Sequence, residues 1–183
     1  NSKYMSTIGG LELSNPVFNN ERVTGGSYDR ETRSVFIQND FNLSNVKKVI
    51  TGMRYDSFEN EHVFSPRFAF LYKYKESIKV RFSSGTGFRI PSFLELHVDF
   101  YNVDNGYVVK GNQFLKPEKS LGSTANLEYI SEKIRINALV YQNGFQDKIN
   151  STKKDTTTSI IIYEYKNIDK ARYKGIELFV DYL

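Results

Sequence analysis

Residues 64–91 read FSPRFAFLYKYKESIKVRFSSGTGFRIP, and their period decides the fold. Phe68, Phe70, Tyr72 and Tyr74 recur at a spacing of two, against Arg67, Ala69, Leu71 and Lys73. Lys75-Glu76 turns the chain, after which Ile78, Val80 and Phe82 alternate with Lys79, Arg81 and Ser83. Successive side chains of a strand point to opposite faces, so an apolar residue at every second position predicts a strand with one dry face. Two such runs joined by a short polar link predict a hairpin. The second strand is expected to run to Phe82 and to stop in the glycines Gly85 and Gly87.

The same period extends outward in both directions. Upstream, Val35, Ile37 and Phe41 oppose Gln38, Asp40 and Asn42 within 32–43. Val49, Met53 and Tyr55 then oppose Arg54 and Asp56, and residues 4–13 alternate weakly. Downstream, Ala125, Leu127 and Tyr129, then Ile134, Ile136, Ala138 and Val140, mark two more strands. The tail from Ser159 reads as one long strand, interrupted near 167–170, with Ile176, Leu178, Val180 and Tyr182 on one face. No stretch carries a 3.6-residue period. The chain is therefore expected to be all-β, with about eight antiparallel strands.

Composition narrows the function. The 183 residues carry no Cys, which excludes disulfides and thiolate metal sites, and a scattered net charge of +4, which is not a nucleic-acid footprint. No charged-then-apolar leader opens the sequence, and no apolar run approaches the ~18 residues of a membrane helix. The opening residues NSKYMSTIGG read as a start in mid-strand, so the chain is expected to be a piece of a larger protein. Catalysis has no support: there is no nucleophile elbow, and Ser92 and His97 share a loop with nothing to fix their geometry.

The connections add a second pattern. Short links at 44–45, 75–76 and 131–133 alternate with longer ones at 15–30, 57–63, 88–119 and 151–158. Short turns at one end and long loops at the other are the habit of outer-membrane β-barrels. Tyr72, Tyr74, Tyr129 and Tyr182 lie near turns or strand ends, where interfacial aromatic girdles sit, and the opposite face carries Arg54, Arg67, Lys79, Arg81, Glu128, Arg135 and Glu177. Alternation alone leaves a soluble sandwich or soluble barrel, and with it a binding or adhesion domain, open.

A family resemblance separates these readings. Gly52-Met53-Arg54-Tyr55-Asp56, Phe64-Ser65-Pro66-Arg67-Phe68, the run from Ser84 through Phe88-Arg89-Ile90-Pro91 to Phe93, and Glu95-Leu96 resemble the TonB-dependent outer-membrane receptors. Gly111-Asn112, Leu115-Lys116-Pro117-Glu118, Asn167-Ile168, Lys170-Ala171-Arg172 and Gly175-Ile176-Glu177 follow in the family's order. Such receptors are barrels of about twenty-two strands with a plugged lumen. The resemblance implies that residues 1–183 form part of one receptor barrel domain, without the plug or the remaining strands. It places the short turns in the periplasm and the long loops outside. It also implies outer-membrane lipid, TonB and the plug domain as partners. The ligand would be large and scarce, a ferric siderophore first, with haem or cobalamin as alternatives. No cofactor, nucleic acid or resident metal is expected.

The candidate site is the long loop between the two family boxes. Phe88, Arg89 and Pro91 form the first box, with Ile90 where the family commonly has Ala. Asn112, Leu115, Pro117 and Glu118 belong to the second, with Gln113 where the family has Pro. Arg89 is expected to pin the loop through Glu95 or Glu118. His97 reads first as an ordinary loop residue and second as a haem ligand, because imidazole binds haem iron and the resemblance places a histidine between these boxes in haem receptors. Phe100, Tyr101, Tyr107 and Phe114 either contact a ligand or pack the loop on itself.

Overall fold

The computed structural model describes residues 4–102, 104–154 and 160–182. The elements are β1 (Met5–Ser14), β2 (Val17–Asn19), β3 (Ser27–Asp29), β4 (Thr32–Ser44), β5 (Lys47–Phe58), β6 (Glu61–Tyr74) and β7 (Ile78–Arg89). There follow α1 (Phe93–His97), β8 (Asp99–Asn102), β9 (Tyr107–Lys110), β10 (Glu118–Ile130), β11 (Ile134–Lys154) and β12 (Ile161–Tyr182). Ten strands form one sheet in the order β1-β4-β5-β6-β7-β10-β11-β12-β9-β8, while β2 and β3 pair separately. The eight long strands are the expected antiparallel wall, and β9 joins it parallel to the start of β12. The sheet ends at β1 and at β8 and does not close on itself among the described residues.

Register confirms which residues share a face. Tyr72 lies opposite Val80, Val80 opposite Leu127, Leu127 opposite Ala138, and Ala138 opposite Leu178. Directly opposed residues point the same way, so these side chains join one apolar band across β6, β7, β10, β11 and β12. The band is not covered by the protein: Met53, Phe64, Phe68, Phe82, Leu127, Val140, Ile176 and Leu178 are all exposed. The other face is polar and cross-linked. Arg54 meets Glu12 at 2.9 Å and Asp56 at 2.9 Å, and Lys79 and Arg81 meet Glu128 at 2.7 and 2.9 Å.

Several expectations change. β7 does not stop at Phe82 but continues through Gly85 and Gly87 to Arg89, since Gly87 and Phe88 pair with Ser120 and Lys119 of β10. A Cβ at Gly85 would sit 3.1 Å from the Arg67 side chain and 3.3 Å from the Pro66 carbonyl, so these glycines allow close strand approach rather than ending the strand. The supposed longer link at 57–63 is a two-residue turn: Phe58 pairs with Glu61, and Glu59 takes a left-handed φ of 49°. The alternation of short and long connections therefore fails at this point. β11 runs to Lys154, so residues 151–154 are strand, while 155–158 of the expected loop lie outside the described residues, as does Ser159. β12 is unbroken through 167–170.

The 15–30 and 88–119 loops are also more ordered than their sequences suggest. The first contains the β2–β3 hairpin, turned by Gly25 at φ 87° and Gly26 at φ 72°. The second contains α1 and the β8–β9 hairpin. A five-residue helix is too short to display a 3.6-residue period, which is why none was visible.

Candidate ligand-facing loop

The loop between the boxes begins where β7 delivers Arg89 to the end of the wall. The Arg89 guanidinium donates to both Glu95 oxygens at 2.8 and 3.0 Å and to Glu118 Oε1 at 2.8 Å. Glu118 is buried, and the same Oε1 accepts the Ile149 N–H at 2.7 Å. Arg89 thus ties α1 to β7 and β10, and Glu118 extends the tie to β11. Both carboxylates that the sequence offered are used. Pro91 is buried and accepts from Arg30 Nη1 at 2.9 Å, while Phe88 stacks on Phe58 at 5.7 Å.

Ser92 sets the start of α1. Its hydroxyl accepts the Glu95 N–H at 3.2 Å and the Glu95 carboxylate accepts the Ser92 N–H at 2.7 Å, a capping box that satisfies two otherwise free donors. Burial pushes the Glu95 carboxyl up, but hydrogen bonds from Arg89 and Ser92 outweigh it and hold the group below its usual value. Glu118 is lowered chiefly by its hydrogen bond from Arg89.

The β2–β3 hairpin closes over this helix. Tyr28 stacks on His97 with ring centroids 3.7 Å apart and on Phe93 at 5.9 Å, and its hydroxyl donates to the Thr24 carbonyl. The Thr24 N–H donates to the His97 carbonyl at 3.0 Å, and buried Val23 bridges to buried Val98. Arg30 lies over the Phe93 ring at 4.7 Å and also pairs with Glu59 at 2.8 Å. The two long loops are therefore one assembly.

The second box is stapled to β12. Asn112 donates to the Tyr165 carbonyl at 3.0 Å and accepts the Phe114 N–H at 2.9 Å. Asn167 accepts the Lys116 N–H at 2.9 Å and donates to the carbonyls of Lys116 at 2.9 Å and Asp147 at 2.6 Å. Leu115 and Pro117 are buried beneath these contacts. Gly111 crosses α1 so closely that a Cβ would lie 2.6 Å from the Leu96 carbonyl and the His97 nitrogen.

The aromatic candidates separate into two groups. Phe100 and Tyr107 pack inward: their rings lie 6.3 Å apart, Arg22 covers Phe100 at 4.6 Å, and Tyr163 meets Tyr107 edge-on. Tyr101 is 56% exposed and accepts from Lys110 at 2.6 Å, while Phe114 is 91% exposed. His97 and Phe114 line one cleft of about 350 Å³ together with Asp99, Lys110, Gln113 and Glu164. The Gln113 amide lies 3.5 Å from His97 Nδ1. Burial, and then the nearby Arg30 charge, lower the His97 pKa and favour the neutral ring. Among the described residues no group of three or more His, Cys, Asp or Glu side chains is placed to hold a metal ion. The arrangement can stack rings and exchange hydrogen bonds, and the one cation among its described residues, Lys110, is paired with Asp99 at 2.8 Å.

Sequence reasoning missed Arg30, Tyr28, Phe93 and the stapling role of Asn167. Their partners lie far away in sequence, and no local pattern announces them.

The family model for the TonB dependent receptor-like β-barrel matches residues 3–183. The chain belongs to this family. As a member it forms a section of an outer-membrane β-barrel wall. It is 31% identical over 117 residues to an iron-regulated outer membrane virulence protein of Vibrio cholerae, covering 62% of the chain and 18% of the relative. It is 24% identical over 172 residues to the vitamin B12 transporter BtuB of Photobacterium profundum, covering 93% of the chain and 27% of the relative. The chain thus spans about a fifth to a quarter of its curated relatives. The crystal structure of the siderophore receptor PirA from Pseudomonas aeruginosa superposes with a TM-score of 0.84 at 18% identity, over 95% of this chain and 35% of that one. The hemophore receptor HasR of Serratia marcescens, solved with its hemophore and heme, gives 0.75 at 14% identity, over 97% of this chain and 39% of that one. These structural likenesses establish the shared fold.

Proposed function

We propose that residues 1–183 are part of the barrel domain of a receptor that captures a ferric siderophore at the cell surface and imports it with energy delivered through TonB. In this reading the strand ends bearing Arg89 and Glu118 face the exterior, and the turns at 45–46, 75–77 and 131–133 face the periplasm. A plug domain and further strands complete the molecule, and lipid covers the apolar face. The carrying observation is the ordered roof at the Arg89 end, where ion pairs and a capping box fix α1, whose His97 lines a cleft together with Phe114. An ordered surface of aromatic rings and hydrogen-bonding groups suits a planar-ringed ligand.

The test is titration of the whole receptor with a ferric catecholate siderophore, haem and cobalamin, paired with uptake in cells with and without TonB. The reading predicts saturable siderophore binding, TonB-dependent uptake, and binding weakened at least about tenfold by combined Tyr101→Ala and Phe114→Ala. Haem binding lost on His97→Ala would instead assign His97 as an axial ligand. Cobalamin binding alone would overturn the siderophore assignment.

A further inference from the structure

On the apolar face, β4 presents Arg33, Val35, Ile37, Asn39, Phe41 and Leu43 in turn. Arg33 ends the apolar run and pairs with Glu31 at 2.7 Å, while Val35, Ile37 and Leu43 are exposed. From Val35 to Leu43 the strand climbs roughly 20 Å, at ~3.3 Å per residue and a tilt of ~40°, within an apolar band ~25 Å tall. Asn39 is the midpoint of that run. A side-chain amide therefore stands near the centre of the hydrocarbon layer.

Its neighbours do not satisfy it. Register sets Thr7 on one side of Asn39 and Thr51 on the other. The Thr7 hydroxyl donates to Asn39 Oδ1 at 2.7 Å, and the Asn39 side chain makes no other hydrogen bond among the described residues. Turning the amide over gives Thr7 to the nitrogen and strands the oxygen, so either assignment leaves one end without a partner. That is costly in hydrocarbon. Further along the same rung, by contrast, the Ser84 and Ser123 hydroxyls bond each other at 2.9 Å. A strand added beyond β1 would not help, because both strands beside Asn39 are already in place.

Next to the amide the face is hollow. Gly9 lies opposite Ile37, and a depression of about 610 Å³ has Gly9, Leu11, Val35, Ile37, Met53 and Tyr55 in its lining. A Cβ at Gly9 would meet the Phe36 carbonyl at 3.4 Å, an ordinary contact, so the strand's own packing does not demand the glycine. In a membrane, small residues let two backbones approach, and polar side chains bond between the segments.

We infer that β1, β4 and β5 form a docking surface for a second copy of the receptor, with the two Asn39 amides bonded to each other across a two-fold axis along the membrane normal. An amide carries both donor and acceptor, so it is complementary to itself. Such an axis brings every residue to the same depth in the other copy, so a polar group at the midplane meets its equivalent. Acyl chains can fill the depression at Gly9 but offer the amide no partner. This pairing needs the membrane-spanning wall and is independent of the imported ligand.

The test places the whole receptor in phospholipid vesicles, as donor- and acceptor-labelled populations, with Asn39→Leu and Gly9→Val variants beside it. Energy transfer over a range of protein-to-lipid ratios reads self-association, heat-resistant migration on gels reads folding, and siderophore titration reads the proposed function. In cells, a photo-crosslinking amino acid in place of Leu11 reads what touches the surface. The expected result is a dimer weakened at least about tenfold by each variant, siderophore binding unchanged, and a crosslinked product of twice the receptor's mass. Should Asn39→Leu fail to fold, Gly9→Val decides alone. A receptor that stays monomeric at every ratio overturns the docking surface. Dimers that both variants leave intact use another face, which overturns it as well. Crosslinking only to lipid or to a different polypeptide gives the surface another occupant and overturns the second copy. Absence of siderophore binding by the unsubstituted receptor, with the dimer difference intact, supports the docking surface and removes only the ligand assignment.

Discussion

Glu118 is the residue on which the loop assembly turns, because it is buried and accepts from Arg89 and from the Ile149 N–H through one oxygen. Glu118→Ala is expected to cost about 2 kcal/mol, mostly from the Ile149 N–H left without an acceptor; the half-exposed Arg89 contributes less through solvent screening. Amide exchange at Ile149 checks this. The sign of the pH dependence follows from the lowered Glu95 and Glu118 values. Their stabilisation is present above about pH 4.5, the value of the free carboxylate, and is lost as pH falls through the lower folded values. His97 is also lowered, so a released ring gains a proton below about pH 6.5 that the docked ring resists. Protection of the Thr24 N–H, bonded to the His97 carbonyl, should therefore fall below pH 6.5, while that of Ile149 holds until near pH 4.5. His97→Gln should abolish the first step alone. Arg89 and its two carboxylates were legible in the sequence, since all three frame one loop. Arg30 and Asn167 were not: Arg30 reaches a carbonyl 61 residues away and Asn167 a backbone 51 residues away, and such contacts exist only once the sheet has formed.

The elements show where periodicity informs and where it misleads. Alternation located all eight long strands because each has one face that meets neither water nor core in the way the other does. Strand ends were less legible. Gly85 and Gly87 looked like a stop, yet they are the positions where neighbouring side chains press against the backbone. The polar 57–63 link looked long, yet polar residues simply occupy the last pairs of β5 and β6. The order inside 90–117 left no periodic trace, as it depends on a capping box and on Gly111 passing over α1. Gly111→Ala tests that crossing. A Cβ there meets backbone atoms that cannot rotate away, so the helix and the second box must separate, at about 1–3 kcal/mol. Limited proteolysis should cut the variant within 90–117 faster than the parent and leave β10 to β12 intact.

At the scale of the whole chain, the uncovered apolar band is the decisive feature. A ten-stranded sheet with an open outer edge on β1 and exposed Phe64, Phe68, Leu127 and Leu178 is not a stable water-soluble object. Purified by itself without detergent, it is expected to aggregate, as sedimentation will report. Within a barrel the same band meets lipid, and the polar face with its Lys79, Arg81 and Glu128 cluster meets the interior. The most direct test is a spin-label scan along β10 in the membrane-embedded receptor, one cysteine at a time from Ala125 to Tyr129, in a chain that has no cysteine of its own. Labels at 125, 127 and 129 are expected to be accessible to oxygen, and labels at 126 and 128 to a water-soluble nickel complex. Equal access of the nickel complex to all five positions would contradict this.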